Sequence, residues 1–232
     1  MTAPVDPTDA TPAATVILLR DEPGGPTTLM LRRNPEGAFG GMWVFPGGMV
    51  EDADRTSDDA VGVEETDDEG WARRAAVRET AEECALRLEP HELVAFSHWT
   101  PPPSTGRRFA TWFFVARAAD GDVLIDGHEI HDHAWLPPAE VLARRDAGEL
   151  ELAPPTFVTL HDLASPTTVE AALAMASSRR PVPRYASRLV RGDEGPVILW
   201  QGDAGYAESD LGAAGRRHRL WMRSAGWHYE RS

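Results

Sequence analysis

Three glutamates within five residues place the strongest constraint on this chain. Glu79, Glu82 and Glu83 stand at positions i, i+3 and i+4, so on a helix their carboxylates share one face within one turn. Like charges at this spacing cost a helix roughly 0.2–0.5 kcal/mol per pair, so some other group should offset the charge. One explanation is a solvated face, in which Arg78 and Arg87 each pair with the glutamate four residues away. The other is a site for a hard cation, because clustered carboxylates bind Mg²⁺ or Mn²⁺.

Composition narrows the class of protein. The chain has 232 residues with 42% hydrophobic content, enough for one substantial core and at most one domain with an extension. The formal net charge is -14 and all 23 basic residues are arginines, so the chain is a poor binder of nucleic acid or anionic lipid. The single Cys84 excludes an internal disulfide and fits a reducing compartment. No run approaches the roughly 18 apolar residues of a membrane span, and we expect a cytoplasmic protein.

The order of the predicted elements indicates an α/β fold. Short β-branched or aromatic runs predict strands at residues 14–19, 27–32, 43–45, 93–99, 109–116 and 129–136. Helices are predicted at residues 71–88, 137–146, 155–163 and 167–178, the first with apolar and small residues opposite its glutamates. The acidic stretch at residues 51–70 predicts an exposed loop, and the tail after residue 184 alternates β-like runs with glycine turns. This order implies a mixed sheet between two helical layers.

A glycine pair ahead of the glutamate helix carries a family resemblance. Gly47 and Gly48 follow the strand predicted to end at Phe45, and Arg-Glu and Glu-Glu pairs follow within residues 78–83. On these residues the chain resembles the Nudix hydrolase family, whose signature runs Gly, five residues, Glu, seven residues, Arg-Glu, an aliphatic residue, any residue, Glu-Glu. The resemblance implies a Nudix-type α/β/α sandwich with a mixed central sheet, followed here by a C-terminal helical and β extension.

The chain departs from that signature in three places. The spacer between Gly48 and Arg78 has 29 residues where the plain signature has 13, so about 16 are inserted. The glutamate of the first half is missing, and Asp54 is the residue that could replace it. Ala85 stands where the signature has the glycine that lets the chain leave the helix tightly. The metal-ligand residue types remain, and we expect catalysis to survive.

The resemblance implies a metal-dependent hydrolase with Mg²⁺ or Mn²⁺ as cofactor. The predicted metal ligands are Gly47, through its backbone carbonyl, together with Glu79, Glu82 and Glu83. The predicted catalytic residues are Glu79, Arg78, Glu82 and Glu129, with Glu129 the preferred general base and Asp132 the second choice. The predicted substrate-binding residues are Arg32, Arg33, Phe45, Arg107, Arg108 and Phe109. On alternating strand positions only one arginine of each pair should face the site, and core packing is the alternative for each aromatic residue.

Further similarity points to one branch of the family. Residues 29–33, 40–48, 99–101 and 107–114 resemble the branch that contains peroxisomal coenzyme A diphosphatases and their bacterial relatives. This branch implies a substrate in which a nucleoside diphosphate is linked to another moiety, coenzyme A or a derivative, with ADP-ribose or NADH as the alternative. A non-catalytic nucleotide sensor with the same fold is a competing hypothesis. An RNA-decapping hydrolase is another, which the negative charge disfavours.

These observations divide the chain into three parts. We predict a disordered leader at residues 1–12, a hydrolase domain at 13–165 with an acidic insertion at about 55–70, and an extension at 166–232 packed on the same domain. The expected partner is a small-molecule nucleotide or coenzyme A substrate, with neither nucleic acid nor membrane, and a homodimer is left open. His128, His131 and His133 raise a zinc site as an alternative to solvated histidines.

Overall fold

The apolar run near the N-terminus forms the central strand of a mixed β-sheet. A computed structural model describes residues 10–36, 39–55, 67–104, 106 and 108–232. Strand β1 (Thr11–Glu22) pairs antiparallel with β2 (Gly25–Arg33) and in parallel with β6 (Phe109–Arg117). Residues 16–19 of β1 are at most 1% exposed, because both faces of the sheet are covered. A strand buried on both faces reads as a continuous apolar run, which is why the sequence predicted it.

The described residues form two sheets and four α-helices. The first sheet contains β1, β2 and β6 with β3 (Trp43–Val44), β4 (Gly47–Met49), β5 (Val94–Thr100), β7 (Ile130–Leu136) and β8 (Arg184–Ala186). The second contains β9 (Arg188–Gly192), β10 (Gly195–Leu199), β11 (His218–Arg223) and β12 (Gly226–Arg231). The helices are α1 (Asp67–Cys84), α2 (Pro138–Asp146), α3 (Pro154–Leu163) and α4 (Val169–Ser178).

Helices cover both faces of the first sheet. On one face, small residues of α1 pack against Val16, Leu18 and Phe114, and Ala72, Ala75 and Ala76 of the helix are fully buried. On the other face, buried residues of α2, α3 and α4 pack with Ile17 and Phe113. The predicted α/β/α sandwich with a mixed sheet is therefore confirmed, and it places the glutamate helix on one side of the sheet.

The tail of the chain contributes to both the first sheet and its core. Strand β8 extends the sheet in parallel with β5, with His98 opposite Arg184. Trp200, which follows β10, is fully buried and packs edge-on against Trp99 of β5, with ring centroids 5.4 Å apart. Leu220 of β11 belongs to the same buried cluster. Residues after 166 thus share one hydrophobic core with the first sheet.

Several predicted boundaries are corrected by the structure. Strand β1 starts at Thr11, inside the predicted leader, because its first residues pair with the start of β6. Helix α1 begins at Asp67 and ends at Cys84, so it includes the end of the predicted acidic loop and stops four residues early. It stops because Ala85 adopts a left-handed conformation with a φ of 59°. Residues 1–9 of the leader and 56–66 of the insertion lie outside the described residues.

A buried ion pair holds the second sheet to the loop at residues 200–217. Both oxygens of Asp203 accept hydrogen bonds from Arg219, at 2.7 and 2.6 Å, and the two side chains are at most 1% exposed. The backbone N–H groups of Gly205 and His218 donate to the same carboxylate at 2.8 Å. Burial alone would raise the pKa of Asp203, but Arg219 and the two N–H groups lower it to about 2.

We predict that Asp203→Asn costs about 3–5 kcal/mol of unfolding free energy, because Arg219 stays buried without its counter-charge. The folded-state pKa lies below the ordinary value of 3.8, so the wild-type contribution is present above about pH 4 and lost toward pH 2. Urea unfolding at pH 7 and acid titration followed by circular dichroism measure both effects. The matched control is Asp193→Asn, at an exposed carboxylate of the same sheet. Equal stabilities of the two variants would contradict the prediction.

Candidate active site

Helix α1 brings Glu83 against the turn that starts β4. The side chain is only 3% exposed, and its Oε2 accepts the backbone N–H of Gly47 at 2.9 Å. Its Oε1 accepts a hydrogen bond from Nη1 of Arg33 on β2 at 3.2 Å. The predicted pairing of Glu83 with Arg87 is therefore replaced by one with Arg33. A carboxylate deep between helix and sheet is a strong acceptor with little water around it.

The glycine pair at β4 allows this close approach. A Cβ on Gly48 would lie 2.2 Å from Oε1 of Glu79, and a Cβ on Gly47 would lie 2.2 Å from the carbonyl oxygen of Ala14. Distances below 3.0 Å do not occur for real Cβ atoms. The turn between β3 and β4 thus passes so close to β1 that glycine is required at Gly47, and so close to Glu79 that a side chain at Gly48 would displace the Glu79 carboxylate.

Arg78 is anchored by Asp54, the candidate replacement for the signature glutamate. Asp54 is 5% exposed and accepts hydrogen bonds from Nη2 and Nε of Arg78, at 2.9 and 3.3 Å. The remaining nitrogen, Nη1, donates to Glu79 at 2.9 Å and to Glu82 at 3.0 Å. Arg78 therefore aligns the glutamates of α1 against a fixed support 24 residues earlier in the chain. The predicted pair between Arg78 and Glu82 is present.

A fourth glutamate comes from the loop before β7. Glu129 accepts a hydrogen bond from Nη2 of Arg33 at 2.6 Å, so one guanidinium joins Glu129 to Glu83. The charge of Glu129 also acts on both Glu79 and Glu83, raising the pKa of each. The sequence predicted Glu129 as the general base but did not show where it lies. In the structure it contacts Arg33, which is 96 positions earlier in the chain, and so it lies near the glutamates of α1.

The electrostatics of the cluster favour a bound cation. Burial raises the pKa of Glu83 to about 8, although the Gly47 N–H and Arg33 act in the opposite direction. Burial also raises the pKa of Glu79, which Arg78 partly offsets. Two carboxylates whose charged forms are destabilised by burial and by neighbouring carboxylates fit a divalent ion as an additional counter-charge. The oxygen donors suit a hard cation such as Mg²⁺ or Mn²⁺.

The predicted ligands do not all converge in the described residues. No three side chains among the described His, Cys, Asp and Glu residues are gathered closely enough to hold an ion on their own. Glu82 is 59% exposed and turned toward Arg78, unlike the buried Glu83. The same finding gives no support to the zinc alternative at the three histidines between residues 128 and 133. Backbone oxygens or a substrate would have to complete the shell around Glu79 and Glu83.

The predicted substrate-binding residues are placed in different surroundings. Arg32 is exposed, while Arg33 of the same strand reaches the carboxylates, so one arginine of the pair faces the site as expected. The predicted substrate-binding role of Phe45 is corrected by the structure. Its side chain is 3% exposed and packs edge-on against Phe113 in the core, so its ring has no free face on which a base could stack. Core packing, the alternative weighed for this residue, is what the fold selects.

The second predicted arginine pair lies at the start of β6. Arg108 is half-buried and donates to the carbonyl of Pro101 at 3.3 Å, and Arg107 lies outside the described residues. Phe109 is half-buried and contacts the exposed Phe39, with ring centroids 6.1 Å apart. These residues stand at the end of the sheet where β1 begins, since Phe109 pairs with Thr11.

Comparison with known proteins decides the family. A protein-family model described as the NUDIX domain matches residues 10–156, more than half of the chain. The chain belongs to the Nudix family. A NUDIX hydrolase from Alicyclobacillus acidocaldarius is similar in structure, with 27% identity, a TM-score of 0.61 and coverage of 72% of this chain and 96% of that one. This Nudix protein is accordingly a phosphoanhydride hydrolase, and enzymes of the family generally use divalent metal ions.

More distant Nudix structures share less with this chain. The Nudix domain of Shewanella oneidensis NrtR, complexed with ADP-ribose, is 18% identical with a TM-score of 0.48 and covers 68% of this chain and 91% of that chain. An Ap4A hydrolase from C. elegans is 19% identical with a TM-score of 0.47, covering 67% of this chain and 96% of that chain. No match was found among curated proteins. In the described residues, no helix has the length and apolarity needed to cross a membrane.

Two residues of this Nudix site were not found from the sequence. Asn34 donates its backbone N–H to the carbonyl of Glu129 at 2.8 Å and its side-chain amide to that of His128 at 3.1 Å. Asp126 accepts the backbone N–H groups of residues 128–130, at 3.3, 3.0 and 2.9 Å. An aspartate two residues before such a turn is a local signal for an Asx-type cap, whereas nothing near Asn34 in the sequence indicates its contact.

Proposed function

We propose that this enzyme hydrolyses the diphosphate bond of a nucleoside diphosphate linked to another moiety, with coenzyme A or a derivative as the substrate. The observation that carries the proposal is the pair of carboxylates, half-buried Glu79 and buried Glu83, held against the glycine turn of β4. Glu79, Glu83 and the backbone carbonyl of Gly47 would hold a divalent cation. When bound, that ion would neutralise charge on the diphosphate and polarise the attacking water.

The residues of this chain then share the remaining work. Asp54 holds Arg78, and Arg78 keeps Glu79 in place while water approaches one phosphorus. The water oxygen forms a bond to that phosphorus, the bond to the bridging oxygen breaks, and the bridging oxygen leaves with the other phosphate. Glu129 is our candidate for the base that accepts the proton of the water. Because Glu83 is buried, water screens its negative charge little, and the charge would act mainly on the cation.

The choice of coenzyme A is supported by the branch resemblance in residues 29–33, 40–48 and 107–114. Coenzyme A carries a 3′-phosphate on its adenosine half, which a cation should recognise, and only arginine is available in this chain. Arg32 is exposed and Arg108 is half-buried at the end of the sheet, and Arg107 is its neighbour in sequence. A panel of coenzyme A, acyl-coenzyme A, ADP-ribose, NADH and dinucleoside polyphosphates with Mg²⁺ and Mn²⁺ tests the substrate class directly.

We predict that one of the variants Arg32→Gln, Arg107→Gln or Arg108→Gln lowers kcat/KM for coenzyme A by roughly 10- to 100-fold. The reason is that a charge-assisted contact to phosphate contributes about 1.5–3 kcal/mol. Dephospho-coenzyme A lacks the 3′-phosphate and should be much less affected. Arg191→Gln, at an exposed arginine of the second sheet, is the matched control. The choice of coenzyme A is wrong if the wild type hydrolyses coenzyme A and dephospho-coenzyme A equally well and no variant distinguishes them. ADP-ribose and NADH would then be the substrates to test.

A further inference from the structure

The pairing of β2 with β7 is interrupted beside the carboxylate cluster. Arg32 lies opposite Asp132, but Arg33 lies opposite Ile130, so His131 is an extra residue on β7. A bulge of this kind bends its strand and redirects the neighbouring side chains, and bulges are frequent next to active sites. His131 stands two residues after Glu129, so the bulge changes the direction of the strand directly beside Glu129.

The backbone of Glu129 is fixed from two sides. Asp126 accepts N–H groups of the tight turn that contains Glu129, and Asn34 donates to the carbonyl of Glu129 at 2.8 Å. The side chain is different, because 64% of it is exposed and packing restrains it little. Its position therefore depends on the hydrogen bond from Arg33, which at 2.6 Å is short and charge-assisted.

Arg33 is suited to join two carboxylates at a fixed spacing. Its side chain is 17% exposed, and Nη1 and Nη2 reach Glu83 and Glu129 separately. The planar guanidinium sets the angle between the two contacts, which the single ammonium of a lysine would not do. With both nitrogens already bonded to carboxylates, Arg33 is poorly placed to clamp a substrate phosphate, the role that the sequence suggested for it.

We infer that Arg33 is a positioning residue, whose guanidinium holds the carboxylate of Glu129 beside Glu83 so that Glu129 can act as the general base. The inference rests on the proposed function, because it concerns the base of that reaction. Arg33 makes no contact with the reacting atoms in this role. It acts on the rate through Glu129, and a displacement of about 1 Å in such a group can cost about 10²-fold.

A kinetic comparison separates positioning from substrate binding. In Arg33→Gln we expect kcat to fall roughly 10- to 100-fold while KM stays within about threefold of the wild type. Arg33→Lys keeps a charge near Glu83 and should recover only part of the rate. Arg191→Gln, at an exposed arginine of the second sheet, should retain the wild-type kcat. A raised KM with an unchanged kcat would overturn the inference, since that result marks a phosphate contact.

A double-mutant cycle tests whether the effect passes through Glu129. If it does, Arg33→Gln combined with Glu129→Gln should be no slower than Glu129→Gln alone. If the two losses in kcat multiply in the double variant, the inference is wrong. A crystal structure provides a measurement without substrate: in Arg33→Gln the carboxylate of Glu129 should move by about 1 Å or more from its position beside Glu83, and an unchanged position would contradict the inference. If the wild type hydrolyses nothing, the proposed function fails, and the position of the Glu129 carboxylate still tests Arg33.

Discussion

Glu83→Gln is expected to lower kcat by about 10²-fold or more while the protein stays folded. The substitution keeps the size of the side chain and its ability to accept a hydrogen bond from the Gly47 N–H. It removes the negative charge of a residue that is only 3% exposed. A cation bound in this cluster would lose its most buried counter-charge. Folding should be preserved, because the charged form of Glu83 is itself destabilised by burial, as its raised pKa indicates.

Turnover of the purified variant at saturating Mg²⁺ measures this effect, with circular dichroism to check the fold. Glu208→Gln, at an exposed glutamate in the loop of the second sheet, is the charge-matched control and should behave as the wild type. A Glu83→Gln enzyme with near-normal turnover would remove Glu83 from the catalytic site.

Gly48→Ala should also inactivate the enzyme, by displacing a carboxylate rather than removing it. The added Cβ would lie 2.2 Å from Oε1 and 2.7 Å from Oε2 of Glu79, so the end of that side chain must move. Since the obstructing atoms are the tip of a flexible side chain, the fold should accommodate the methyl group. We expect a fall in kcat of roughly 10²-fold, the cost of a displacement of about 1 Å at a catalytic group.

Two other glycines make the test specific. A Cβ on Gly47 would lie 2.2 Å from the carbonyl oxygen of Ala14 and 2.6 Å from Cα of Thr15, so Gly47→Ala should lower the melting temperature strongly. A Cβ on Gly24 meets nothing within 4 Å, and Gly24→Ala should change neither stability nor rate. The result that would refute the geometry is a Gly48→Ala enzyme with full activity, or one that is as unstable as Gly47→Ala.

The sequence determined the class of fold and the chemistry of the central cluster. Apolar runs with β-branched residues predicted the strands, and the spacing of the glutamates predicted a helix that presents them on one face. These are local properties, since they depend on residues a few positions apart. For the same reason the sequence also indicated the glycine turn and the candidate replacement of a missing glutamate by Asp54, which the structure places on Arg78.

Tertiary structure alone decided which side chains face the cluster. Arg33 meets Glu83 across 50 positions and Glu129 across 96, and no local pattern encodes either contact. Phe45 is buried in the core because helices cover both faces of the sheet, and burial of its apolar ring is favourable. Periodicity fixes the direction of a side chain within its own element. The packing of distant elements, and the bulge that their pairing creates, fix what that side chain meets.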